Sequence, residues 1–280
     1  FIDTETTEIY THSIHDDLPI SPVCGKTLIA KAIAGEANQI LGEQKVGFIE
    51  AKLSDLESKW LGDTEKNIHN LFESAKKHSP CVLFLDEIDA IAVKKDLIAT
   101  EVYARAILNC LLVELNALTE SDSNILVIGA TNTPWIVDPA IRRSGRLSKT
   151  IYVPAPDEQT RIGLFELYLK GKPLTKDLDY KMLANLTQFR SSSDIQAICN
   201  EAAKVPWMEA HRTGVIRDVG MEDLLKNIEK QKSNLAEWYS VAGNSAFSDE
   251  ERELYSDLID AVKEYDNRNK SGAASYSIYA

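Results

Sequence analysis

A buried-strand pattern that ends in two carboxylates carries the clearest chemistry in this sequence. Residues 82–91 read VLFLDEIDAI, in which four apolar residues precede Asp86 and Glu87. Such a short apolar run is typical of a strand that is buried on both faces of a parallel sheet. Because α/β proteins bind ligands at the carboxyl ends of these strands, we expect both carboxylates to lie in a ligand-binding site.

A phosphate-binding pattern precedes this strand in the chain. Gly25, Lys26 and Thr27 stand directly before a helical pattern that reads LIAKAIAGEA. In a magnesium–nucleotide site, the lysine reaches the β- and γ-phosphates, the Thr27 hydroxyl ligates Mg²⁺, and Asp86 holds the water ligands of the metal. Glu87 then remains to polarise an attacking water. Gly-Lys-Thr alone is common by chance, so the hypothesis depends on its combination with the two carboxylates.

The composition predicts a cytoplasmic protein with one large or two modest domains. The chain has 280 residues, of which 44% are hydrophobic, and this is enough for a packed core. Its four cysteines are scattered and lack metal-binding spacing, which favours reduced thiols. We expect no transmembrane helix, because no apolar run reaches about 18 residues. The acidic first residues do not predict a signal peptide.

The charge of the chain argues against one class of partner. The formal net charge is −12 and the sequence pI is near 5.0. A sequence-independent nucleic-acid binder is normally basic. We therefore expect no nucleic-acid partner, although a local basic pore is compatible with an acidic chain.

Strand and helix patterns alternate in the first half of the chain, which predicts an α/β fold with a parallel sheet covered on both faces. The second half shows helical patterns only, after a break at the sequence PAPD of residues 154–157. The predicted strands are 46–51, 81–85, 124–130 and 149–153, and the predicted helices of the first half are 28–41, 64–77, 101–118 and 138–143. The predicted helices of the second half are 157–171, 179–188, 192–204, 206–213, 221–230, 233–241 and 248–265. Asp157 and Ser192 are predicted as N-caps, and Ser248 with Glu251 is predicted as a capping box.

These patterns predict a division of the chain. We expect a nucleotide-binding α/β domain over residues 1–155 and a helical lid domain over 156–245. A C-terminal helix is predicted over 246–268, followed by a disordered low-complexity tail over 269–280.

Two further motifs carry a resemblance to a known family. Residues 129–132 read GATN and residues 138–147 read DPAIRRSGRL. With the motifs above, and in the same order, they make the chain resemble the AAA ATPases of the classical clade. The most similar members are the single-ring ESCRT-disassembling ATPases, the katanin and spastin microtubule severers, and archaeal unfoldases of the valosin-containing type. The resemblance covers about residues 24–240 and implies a P-loop NTPase fold followed by a helical lid.

The resemblance implies a catalytic site that two subunits share. Glu87 would activate water and Asn132 would act as sensor 1, while Arg143 and Arg146 would act as arginine fingers on the nucleotide of the neighbouring subunit. This arrangement implies ATP and Mg²⁺ as ligands and a homo-oligomeric ring, usually a hexamer, although an isolated core can be monomeric. The residues expected to bind the nucleotide are Cys24, Gly25, Lys26, Thr27, Leu28, Asp86, Ser193 and Asp194, of which Thr27 and Asp86 also serve the metal.

The resemblance also implies a polypeptide substrate. Lys59, Trp60 and Leu61 match pore loop 1 of the family, where an aromatic side chain grips a translocated chain. The expected function is therefore an ATP-driven unfoldase or disassembly motor. The alternatives are a nucleotide-binding scaffold with little turnover and a nucleic-acid-linked AAA motor.

The segment before Lys26 departs from the family pattern. Walker A is GxxxxGK[ST], whereas residues 20–27 read ISPVCGKT, with Ile20 and Val23 where the family has glycines. A β-branched residue resists the positive φ that such a loop requires. Either the loop is truly degenerate, or the printed sequence joins segments that are not neighbours in the natural protein. Residues 93–100, where pore loop 2 would lie, are also short.

Overall fold

The computed structural model describes residues 25–41, 45–56, 62–93, 102–120, 123–245 and 247–276. The side chains of residues 41, 102, 103 and 269–276 lie outside this description. The described residues form two compact units, of which the first is Lys26–Ile151 and the second begins at Tyr152 and also includes Gly25. The domain bounds predicted from the sequence stay a prediction.

The first unit is a parallel sheet with helices. Its strands are β1 (Gly47–Lys52), β2 (Cys81–Asp86) and β3 (Ile125–Gly129), in the order β1-β2-β3. Its helices are α1 (Lys26–Leu41), α2 (Leu53–Leu56), α3 (Asp63–Lys77) and α4 (Val102–Thr119), together with 3₁₀ turns at Ile88–Ala90, Pro134–Ile136 and Pro139–Arg142. This arrangement agrees with the predicted P-loop α/β fold.

Alternation along β2 explains why the sheet is covered on both faces. Leu83 and Leu85 pack into a core with α3 and α4. Val82 and Phe84 point to the opposite face and pack with Ala30 of α1. Every residue from Cys81 to Leu85 is buried, as expected for the central strand of a parallel sheet.

The strand predicted over residues 149–153 is wrong. These residues form no strand, and Ile151 is 82% exposed. An isolated extended segment is stable only when a neighbouring strand accepts its backbone hydrogen bonds, and the described residues offer this segment no such partner.

The second unit is helical, as predicted. Its helices are α5 (Glu158–Leu169), α6 (Tyr180–Leu186), α7 (Ser192–Thr213), α8 (Met221–Lys230), α9 (Asn234–Gly243), α10 (Asp249–Leu254) and α11 (Ser256–Tyr276). Its core lies mainly between α5, α7 and α8 and includes Phe165, Ile195 and Leu224. On another side, Tyr265 of α11 stacks on Tyr239 of α9 with ring centroids 5.0 Å apart.

The helix ends of this unit follow the expected capping chemistry, with one shift. The side chain of Asp157 accepts the Thr160 amide at the start of α5. Ser248 and Glu251 form the predicted capping box of α10. The N-cap of α7 is Ser191 rather than the predicted Ser192, because Ser191 shares its capping box with the residue three positions later.

Two helix boundaries were predicted wrongly. The break expected at residue 205 is absent, since α7 continues through Pro206, which is buried. Burial of Pro206 and of the apolar residues before it in α7 therefore outweighs the lost backbone hydrogen bond of the proline. The single helix predicted over 248–265 is divided at Tyr255, and α11 then extends to Tyr276, past the start of the tail predicted from residue 269.

Candidate active site

The carboxyl ends of β2 and β3 hold two of the predicted catalytic segments side by side. Leu85 is paired with Gly129 in the parallel register. Beyond the strands, Ala130 donates its amide to the Leu85 carbonyl at 2.8 Å and Ile88 donates to the Ala130 carbonyl at 2.9 Å. The segments that carry Glu87 and Asn132 are therefore adjacent and fixed by backbone hydrogen bonds.

Lys26 joins the start of α1 to the end of β3. Its ammonium donates hydrogen bonds to the backbone carbonyl of Thr131 and to the side-chain Oδ1 of Asn132. Gly25, immediately before the helix, has a φ of +77°, which favours glycine. The predicted phosphate-binding lysine and the predicted sensor asparagine thus meet at one point of the sheet edge.

Asp86 is a half-buried carboxylate beside this lysine. Burial raises the pKa of its carboxyl, while the Glu87 amide and the nearby Lys26 charge oppose that rise. Its Oδ1 accepts the Glu87 amide at 2.9 Å, and its Oδ2 has no hydrogen-bond partner in the described part of the chain. One carboxylate oxygen is therefore available to a ligand.

The oxygen donors present suit Mg²⁺. The Asp86 carboxylate and the hydroxyl of Thr27, a residue only 3% exposed in the first turn of α1, are hard ligands of the kind that Mg²⁺ prefers. The described residues contain no cluster of three or more potential metal-binding side chains. Mg²⁺ commonly takes one or two protein ligands and completes its shell with water and phosphate.

Glu87 has an unusual backbone conformation and two side-chain partners. Its φ of 52° and ψ of 49° lie in the left-handed region, which a non-glycine residue adopts at a cost of about 1–2 kcal/mol. Its Oε1 lies 3.1 Å from the Lys52 ammonium, and its Oε2 accepts the Ser54 hydroxyl at 2.9 Å. The hydrogen bond to Glu87 raises the pKa of Lys52.

Sequence reasoning did not find Lys52 and Ser54. Lys52 is paired with Asp86 across the β1–β2 ladder, so the strand register places it beside Glu87. The strand predicted over residues 46–51 stops one residue before Lys52, and the sequence does not show the register that places Lys52 opposite Asp86. These two side chains restrain the carboxylate that was predicted to activate water.

A short hydrogen-bonded network supports Asn132 from both sides. The Thr133 amide donates to Thr131 Oγ1 at 2.9 Å, and the Thr133 hydroxyl donates to Asp89 Oδ2 at 2.6 Å. The flanking threonines thereby fix the turn that presents Asn132. The sequence pattern gave no sign of this role for Asp89.

The two predicted arginine fingers differ in their surroundings. Arg146 donates from Nε to Asn116 Oδ1 at 2.7 Å and from Nη1 to the Ala140 carbonyl at 2.6 Å. Arg143 is exposed, and its side chain forms no hydrogen bond or ion pair with any residue that the structure describes. Neither guanidinium is hydrogen-bonded to Glu87 or Asp86, and the arginine-finger role of both residues stays a prediction.

Ser193 and Asp194 lie in the second unit, in the first turn of α7. Asp194 is fully buried, and its carboxylate accepts the Ser191 amide at 2.9 Å and the Asn234 side chain at 2.8 Å. The Ser193 hydroxyl lies 2.8 Å from the Ser191 hydroxyl. Asp194 thus has a capping function, and a nucleotide contact by either residue stays a prediction.

The remaining predicted residues are placed only in part. Leu28 of α1 is 44% exposed. Six others lie outside the described residues, namely Ile20, Val23, Cys24, Lys59, Trp60 and Leu61. No helix in the described ranges is long and apolar enough to cross a bilayer.

Comparison with known proteins agrees with this geometry. A sequence model of the ATPase family associated with various cellular activities (AAA) matches residues 21–155. The chain belongs to the AAA ATPases. It is 37% identical over 239 residues to the Cell division cycle protein 48 homolog of Archaeoglobus fulgidus. The alignment includes 85% of this chain but only 31% of that relative, so this AAA module spans about a third of the relative's length.

Proposed function

We propose that this AAA module hydrolyses Mg²⁺–ATP within a homo-oligomeric ring and uses the energy to pull polypeptide through a central pore. The observation that carries the proposal is the meeting of Lys26 with Asn132, next to Asp86 and Glu87. A lysine at a helix start, a sensor asparagine and a paired carboxylate are the parts that phosphoryl transfer requires.

Each residue has a distinct task in this scheme. Lys26 exchanges its present acceptors for phosphate oxygens and neutralises their charge. Thr27 and Asp86 would hold Mg²⁺, which neutralises charge that develops on the phosphates. Glu87 leaves Lys52 and Ser54 to accept a hydrogen bond from the attacking water, and Asn132 orients that water. Because the chemistry demands little covalent change in the protein, these groups act by position and charge.

The proposed ring follows from the role proposed for two arginines. Arg143 and Arg146 would stabilise the transition state in the site of the next subunit, an effect worth about 10³–10⁵ in rate where an arginine acts in this way. Lys59, Trp60 and Leu61 would contact the translocated polypeptide. The name of the archaeal relative is consistent with an AAA protein of the cell-division-cycle type, and the substrate of the present chain is proposed here only as unfolded polypeptide.

Steady-state ATP hydrolysis tests the catalytic assignment. We expect Glu87→Gln to bind ATP and to lose turnover by at least about a hundredfold, because general-base assistance is typically worth that much. Lys26→Ala should weaken ATP binding as well. Glu253→Gln, which changes an exposed glutamate of α10, is the matched control and should keep the wild-type rate. A Glu87→Gln protein with the wild-type rate would remove Glu87 from the mechanism.

A nucleotide-binding scaffold is the second candidate, and the departure of Ile20 and Val23 from Walker A favours it. This candidate predicts saturable binding of ATP by the wild type with no release of phosphate at any protein concentration. The same hydrolysis assay therefore distinguishes it from the motor.

A further inference from the structure

The loop that carries both arginine fingers is fastened to the last turns of α4. Arg146 donates from Nε to Oδ1 of Asn116 at 2.7 Å. One turn further along α4, the Thr119 hydroxyl donates to the backbone carbonyl of Gly145. Gly145 has a φ of +82°, so the loop turns sharply at the point where Thr119 holds it. Asn116 therefore holds the Arg146 guanidinium, and Thr119 holds the loop backbone at Gly145.

The other contacts of Arg146 show which nitrogen of its guanidinium has no hydrogen-bond partner in the described part of the chain. Its Nη1 donates to the Ala140 carbonyl at 2.6 Å, and its backbone amide donates to the Arg143 carbonyl at 3.1 Å. Its Nη2 has no partner in the described part of the chain. A planar guanidinium that is held at Nε and Nη1 has a fixed orientation, with its Nη2 edge free to donate to an acceptor outside the subunit.

We infer that Asn116 is a positioning residue of the trans-acting site, which orients Arg146 toward the nucleotide of the neighbouring subunit. The inference rests on the proposed function, because it requires Arg146 to act on that nucleotide. Preorganisation of a charged donor removes the cost of ordering it in the transition state. A long arginine side chain without its Asn116 contact would sample many rotamers and would lose part of this benefit.

Substitutions at Asn116 leave the core intact, since the residue is exposed. Asn116→Leu keeps the approximate volume and removes the acceptor, whereas Asn116→Asp keeps an acceptor for Nε. We expect Asn116→Leu to lower kcat about tenfold with an unchanged KM for ATP, because a hydrogen bond to a charged group is worth about that factor. Asn116→Asp should restore most of the activity. Asn109→Leu, an exposed asparagine two turns earlier on α4, is the matched control.

Subunit mixing separates this role from a fault in folding. A subunit with Asn116→Leu retains Glu87 but presents a disordered finger, and a subunit with Glu87→Gln presents a sound finger to an intact neighbour. Mixed rings should therefore hydrolyse ATP faster than the average of the two pure variants. A merely misfolded variant would not be rescued in this way.

The outcomes distinguish this inference from the proposed function. If Arg146→Ala abolishes turnover while Asn116→Leu has the wild-type or a higher kcat, Asn116 does not position the finger and the ring ATPase stands. If Asn116→Leu is slow but gains nothing on mixing, the inference is likewise overturned. If Arg146→Ala retains full turnover, the proposed action of Arg146 on the neighbouring nucleotide is refuted, and the inference about Asn116 is refuted with it.

Discussion

Two side-chain neighbours hold the Glu87 carboxylate, and the proposed role of Glu87 requires it to leave them. Lys52 lies 3.1 Å from its Oε1, and Ser54 donates to its Oε2 at 2.9 Å. A carboxylate engaged in this way is a poorer acceptor for the hydrogen of an attacking water. The strained backbone of Glu87 belongs to the same arrangement, because it turns the side chain off the end of β2 toward β1.

Release of this restraint should accelerate basal turnover. We expect Lys52→Met to raise kcat about two- to fivefold, the range that an exposed ion pair supports. Lys45→Met is the matched control, since Lys45 is exposed before β1 and forms no ion pair among the described residues. ATP hydrolysis at saturating Mg²⁺–ATP is the measurement. A kcat that falls in Lys52→Met would mean that Lys52 orients Glu87 rather than restrains it.

Asp86 should cost the protein stability at neutral pH. Its pKa is raised by burial, so the folded state binds a proton more readily than the unfolded state. The ionised carboxylate therefore destabilises the fold above that raised pKa, and the penalty disappears as the pH falls through it. Asp86→Asn keeps the acceptor for the Glu87 amide, and it should raise the Tm at pH 7.5 while it abolishes Mg²⁺-dependent turnover.

The pH dependence of the Tm difference between Asp86→Asn and the wild type tests whether desolvation of Asp86 causes it. The Tm advantage of Asp86→Asn should shrink on acidification, because the wild-type carboxyl becomes protonated. Asp266→Asn, at an exposed position of α11, should show no such behaviour. A Tm advantage that is constant from pH 7.5 to acid would refute desolvation of Asp86 as its cause.

At the scale of elements, the α7 capping box anchors the helical unit. Ser191 is fully buried and caps α7, and Asp194 both returns the capping bond and accepts from Asn234 of α9. We expect Ser191→Ala to lower the free energy of unfolding by about 1 kcal/mol. Chemical denaturation measures this change, with the exposed Ser240→Ala as a control that should stay within about 0.5 kcal/mol. Equal losses in both variants would argue against a cap-specific effect.

The elements that the sequence predicted well are those whose patterns have one physical interpretation. The short apolar run before Asp86 is typical of a strand covered on both faces, and β2 is such a strand. The break expected before Pro206 was a local inference, and tertiary packing overruled it. The strand expected over 149–153 is absent because a strand needs a partner from elsewhere in the chain, and the described residues provide none.

The residues of the candidate site likewise fall into those that the sequence indicated and those that it did not. Lys26, Asp86, Glu87 and Asn132 were proposed from the sequence because each lies at the end of a recognisable element, and the structure places them near one another. Lys52 and Asn116 were missed because their contacts depend on strand register and on a turn that approaches from a distant segment. Residue type alone gives no sign of such contacts.

At the scale of the whole molecule, the described residues form two compact units. The first unit brings Lys26 to Asn132 beside the carboxylate pair, whereas the two predicted arginine fingers form no hydrogen bond with these residues. In the proposed ring, a second copy of the chain would supply an arginine to this site.

Specific ATPase activity measured against protein concentration tests the shared site most directly. The wild type and the control Arg212→Ala, an exposed arginine of α7, should both show activity that rises with concentration to a plateau. Arg143→Ala, which removes the exposed finger, should stay low at every concentration, because association no longer completes the site. Wild-type activity that is independent of concentration, or an Arg143→Ala curve that follows the wild type, would contradict hydrolysis at a site shared between subunits.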